Sequence, residues 1–144
     1  MATKTQVLRH ALRAKILFSR LNLQITIFFF LGFRIDEVAM QHTIDAARNY
    51  CNLQLEKSGD VPLPQTEDPF HDDLGYGAAI HVVSTKPRHR ITWKILKGII
   101  QGLWNFLVEE GRYMEAEFHI GYANVGSVGK GTITEAAKAP SVEQ

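Results

Sequence analysis

The sequence predicts an α+β fold: a small antiparallel sheet with two main helices packed on one face, in the order α-loop-β-α-β-β. Three observations predict it. Two stretches, Asp36 to Leu55 and Trp93 to Glu110, carry apolar residues at helical spacing. The strand-like segments alternate, and only one side of each is consistently apolar, so the sheet has a single face to cover. The 144 residues, 45% of them hydrophobic, make about one domain with enough length to bury a core.

The head of the chain stands apart. Residues 1–34 hold Lys4, Arg9, Arg13, Lys15, Arg20 and Arg34 and no acidic residue, a charge of +6. The rest holds ten Lys/Arg against fifteen Asp/Glu, which brings the net charge down to +1. A basic head on a mildly acidic body points to a partner or an address. The body lacks the basic surface that phosphates need, so no nucleic-acid partner is expected. From Thr5 to Ser19, Val7, Leu8, Ala11, Leu12 and Ile16 recur at helical spacing, and from Leu21 to Phe33 the chain is almost continuously apolar.

Four readings of this head stay open. A secretory signal explains the basic start, but its polar region is long and Phe30-Leu31-Gly32 is a poor cleavage site. A membrane span buries Arg20. A mitochondrial presequence suits the arginines but not the "IFFF" run. The fourth is a surface helix followed by a buried strand, with "LQITIFF" alternating. The expectation is a targeting or membrane-associated segment over residues 1–34, with possible membrane contact through residues 7–33. It makes the protein secreted or membrane-associated, or alternatively mitochondrial. The α+β domain then spans 35–134, and residues 135–144 form a polar, disordered tail.

Within the body, Asp36 is placed to cap a helix whose buried stripe is Met40, Ile44, Ala47, Cys51 and Leu55. Cys51 on that stripe reads as a small core residue, and as the chain's one cysteine it has no intramolecular partner. "EKSGDVPLPQTEDPFHDDLG" has no periodicity and reads as a mobile loop or covering flap. Its Glu67, Asp68, His71, Asp72 and Asp73 lack the alternate spacing and distal glutamate of an EF-hand, so a solvated loop is expected and no metal. Gly75–Ser84 reads as a strand with Ala78, Ile80 and Val82 on one face. Pro87 in the basic "TKPRHR" turn bars its continuation.

Thr92 caps the helix from Trp93 to Glu110, and Gly111 stops it. Tyr113–Gly121 alternates Met114, Ala116, Phe118 and Ile120 against Glu115, Glu117 and His119, and Val128–Thr134 returns the chain. The glycines of "GYANVGSVGKGT" miss the phosphate-loop spacing, because Asn124 stands where the first glycine belongs and Gly131 replaces the hydroxyl residue. They suit a turn, a bulge or a close backbone approach instead.

Two groups of residues carry the candidate chemistry. Trp93, Gly98, Gly102 and Trp104 lie on the broad apolar helix, where the glycines admit another backbone or a ligand. His81, Glu117 and His119 fall on polar strand faces and are the candidates for general acid–base work. Against that, alternating charge is ordinary on the solvated side of a sheet. The chain has no HExxH, G-x-S-x-G or CxxC, so no strong catalytic signature is present, and no cofactor is expected.

Thr92, Trp93, Gly102, Leu103, Gly111, Arg112, Phe118, Val128, Gly129 and Gly131 form a pattern that resembles small uncharacterised fungal proteins. In those, a Thr-Trp helix with Gly-Leu near its middle leads into a strand and a Val-Gly-x-Gly hairpin. The resemblance implies a signal peptide at the start and implies no activity. The expected function is a small non-catalytic secreted or membrane-associated domain that contacts a protein or a small apolar ligand. The alternative is a cofactor-independent enzyme, an isomerase or cyclase, with an apolar pocket between helix 93–110 and the sheet.

Overall fold

The structure, a computed structural model, describes residues 13–18, 23–122 and 124–138. It is an α+β fold. Six strands, β1 (Arg13–Phe18), β2 (Leu23–Arg34), β3 (Phe70–Asp72), β4 (Tyr76–Ser84), β5 (Met114–Tyr122) and β6 (Gly126–Lys138), form one sheet in the order β1-β2-β5-β6-β4-β3. All neighbours are antiparallel. Two helices, α1 (Glu37–Ser58) and α2 (Trp93–Leu103), link the three hairpins and cover one face. The expected architecture holds, with β1, β2 and β3 added to the expected order.

The first correction is at the head. Arg13–Phe18, read as part of a helix, is a strand. Leu23–Arg34 pairs with β5, so the sheet begins before residue 35. The alternation of "LQITIFF" is that of a half-buried strand: Leu23, Ile25, Ile27 and Phe29 are fully buried against the helices. Their apolar surface is spent inside the fold. The rest of the basic head, residues 1–12, lies outside the described residues. Among those described, no helix is long and apolar enough to cross a membrane. At the other end β6 runs to Lys138, so the first part of the expected tail belongs to the sheet and the remainder lies outside the described residues.

The helices form where their caps and stripes allow. The Asp36 carboxylate accepts from Ala39 N at 3.0 Å, and Met40, Ile44, Ala47 and Cys51 are buried below it. Thr92 accepts from Ile95 N, and Leu96, Ile99, Ile100 and Leu103 are buried in the core that this helix shares with α1 and β2. From Trp104 to Glu109 the helix loosens into π geometry, closed by Arg112 N donating to Leu107 O at 2.8 Å, and Gly111 ends it at φ 68°.

The acidic loop is the second correction. It is a fixed strap rather than a mobile loop, with most of its residues exposed and Leu63, Phe70 and Asp72 buried. Leu63 N donates to Ile91 O and Trp93 N to Val61 O, which ties the strap to the start of α2. The Asp68 side chain is only 8% exposed: it accepts from Ser84 N at 3.0 Å and pairs with Arg90, which also donates to Leu63 O. The strap then forms a one-turn 3-10 helix, Gln65–Glu67, and enters the sheet edge as β3.

Candidate functional site

A cleft of about 280 Å³ opens where α1, the strap and β3 meet. Ala46 and Tyr50, four residues apart, share the flank of α1 that borders it. The 3-10 turn brings Thr66 and Glu67 to the opposite wall, and the Tyr50 hydroxyl donates to the Glu67 carboxylate. β3 forms the floor. Because strand residues alternate, Phe70 and Asp72 face α1 while His71 is exposed on the other side. The Phe70 ring lies 6.2 Å from that of Tyr50, which meets buried Trp93 edge-on at 5.8 Å. Pro69 and exposed Leu74 complete the rim.

Asp72 is the unusual member. It ends a helix-facing row that runs Phe29, Ala116, Ile133, Ile80, Asp72 across the sheet, so a carboxyl occupies a core position. It is 8% exposed, and its Oδ2 is shut from solvent without a hydrogen-bond partner among the described residues. Burial disfavours the charged form, and neighbouring Asp73 adds to it, so the carboxyl is pushed up to about 6 although His71 opposes the shift.

The same surroundings act on their neighbours. Burial and the Glu67 hydrogen bond push the Tyr50 phenol up to about 12. Burial, then the Asp72 charge, push the Cys51 thiol up to about 12 against the pull of Lys97. Cys51 is therefore a neutral core thiol, as its place on the apolar stripe predicts.

The residues singled out from sequence lie elsewhere. His81, Glu117 and His119 do share one face, the open one without helices, in rows that run Phe28, Glu117, Thr132, His81, His71 and Thr26, His119, Lys130, Val83. Glu117 and His119 pair at 3.5 Å with side chains 30% and 49% exposed, and Phe28 meets the His119 ring at 5.3 Å. His81 is separated from Glu117 by β6 and instead faces His71, ring to ring at 6.0 Å. These three do not converge on one reacting centre. Glu115, expected on this wet face, is buried and accepts from Glu135 N at 2.7 Å.

On the helix, Trp93 is a core side chain and Gly102 is buried, with Gly98 half-buried. The Arg48 guanidinium lies over the half-buried Trp104 ring at 5.0 Å. The interface where an apolar pocket was expected is filled by Leu96, Ile99, Ile100, Leu103, Ile27 and Phe29.

Sequence reasoning missed Tyr50, Glu67, Phe70 and Asp72 as a group. The only signal was the acidic cluster itself, whose members go three ways: Asp68 to Arg90, Glu67 to Tyr50, and Asp72 inward. Among the described residues no three His, Cys, Asp or Glu side chains stand together to hold a metal ion. Compared with protein-family models, with curated proteins and with solved structures, the chain matches none of them.

Proposed function

We propose that this domain works by binding, and that its contact site is the cleft between α1 and β3, occupied by a small ligand with an apolar body. The observation that carries this reading is Asp72: a carboxyl in a core row, with a buried oxygen that nothing described satisfies, at the floor of a cleft. A buried carboxyl without a donor is costly, and a ligand whose donor meets this carboxyl at the cleft lowers the cost. Apolar contacts with Ala46, Pro69, Phe70 and Leu74 supply the remainder of a small-molecule site.

The raised carboxyl also favours a second reading, a proton-transfer enzyme that uses Asp72 as its base. That chemistry asks for a second group poised across the reacting atom, whereas binding asks only for the donor. The test is a two-dimensional amide NMR screen of the intact protein against small fragments. Binders should shift the amides of Tyr50, Glu67, Phe70 and Asp72 together. Shifts that gather on the open face around Phe28, Glu117 and His119, with the cleft silent, would contradict the assignment.

A further inference from the structure

We infer that the ligand of this cleft is a small organic cation, a protonated amine carried on an apolar or aromatic body. The inference rests on the reading that the cleft is a ligand site and adds the charge that the ligand must bear. Two carboxylates, Glu67 and Asp72, line the same small space from different elements, and no lysine or arginine is among its lining residues. Ionised carboxylates accept and cannot donate, so a group that meets the Asp72 carboxylate from the cleft must be a donor.

Charge then separates the possible donors. A neutral hydroxyl satisfies geometry but leaves a buried charge uncompensated, whereas an ammonium group does both. A carboxylate or phosphate meets two like charges. A bare divalent cation asks for four or more ligands, and no cluster of three ligating side chains stands among the described residues. The organic body of the ligand is indicated by the walls. The rings of Tyr50 and Phe70 flank the cleft, and an aromatic face attracts a cation as well as an apolar stem. At about 280 Å³ the space is just below the usual drug-sized range of about 300–1,000 Å³ and suits a small amine.

The test uses three probes of one shape and different charge: benzylamine, benzyl alcohol and benzoate. Each is titrated at pH 7.5 into the full chain and into Asp72→Asn, with binding followed by the amide signals of Tyr50, Phe70 and Asp72. Benzylamine should bind at least about tenfold more tightly than benzyl alcohol, and benzoate should not bind. Asp72→Asn should weaken benzylamine about tenfold or more and benzyl alcohol by a clearly smaller factor. Glu67→Gln, at a half-exposed position, serves as a second charge-removing variant and should weaken benzylamine by a smaller factor. If benzyl alcohol or benzoate binds the cleft as tightly as benzylamine, the charge inference fails while the ligand site stands. If no probe moves the cleft amides, both fail.

Discussion

A carboxyl at the end of a hydrophobic row is a position where folding and binding want different residues. In the folded protein Asp72 holds its proton up to about pH 6, against an ordinary value of 3.8. Between those values the folded state binds more protons than the unfolded chain, so stability falls as pH rises through this window. Above it the full cost applies, up to about 3 kcal/mol. Asp72→Asn should therefore stabilise the protein by about 1–2 kcal/mol at pH 7.5, less than the full cost because the amide is itself imperfectly satisfied. The gain should vanish near pH 4. Urea denaturation at the two pH values checks it, and a pH-independent difference would mean that the carboxyl is solvated. Gly131 shows the opposite constraint, one of space. A Cβ there would overlap the His81 carbonyl oxygen and come within 2.5 Å of the Phe118 ring. Gly131→Ala should cost about 1–3 kcal/mol by thermal or chemical denaturation, through overpacking between two strands.

At the scale of elements, β2 decides whether the head is dispensable. A chain beginning at Ile35 loses β1 and β2 and with them Leu23, Ile25, Ile27 and Phe29, all fully buried. At about 1.5–3 kcal/mol each, four such side chains rival the whole stability of a domain, about 5–15 kcal/mol. The truncation also bares the edge of β5. It should neither fold cooperatively nor give a dispersed NMR spectrum, and a native-like spectrum would contradict the sheet assignment. Elements with a local signature were legible in the sequence. The Asp36 and Thr92 caps, the Met40–Cys51 stripe, the Gly111 stop and the alternation of β4 and of β5 from Ala116 onward all lie where spacing puts them. β2 was ambiguous because a basic head before an apolar run is also the pattern of a targeting segment. β3 was invisible, since three residues between prolines and acidic residues are too few to show a period. The candidate site was lost with it, because Tyr50 and Asp72 meet only when β3 pairs with β4.

The whole molecule explains why the site is at a margin. Three hairpins lie side by side, the last of them, β5–β6, inserted between the other two, and both helices pack on the same face. This leaves the middle of the helix–sheet interface filled and the opposite face polar, so an open cleft remains where the layers end. At that margin the titratable neighbours that act on Asp72 are Asp73 and His71 beside it, while Glu67 on the strap pairs with Tyr50 and Lys97 on α2 acts on Cys51. The central claim is that this carboxyl is desolvated in the free protein and answered by a cation when the cleft is filled. The direct measurement is a carbon-13 NMR titration of the Asp72 side-chain carboxyl, without and with saturating benzylamine. The midpoint should lie near pH 6 in the free protein, and it should fall on adding the amine, because a cation favours the ionised form. A midpoint near 3.8 in the free protein, or one that the amine leaves unmoved, would contradict the account.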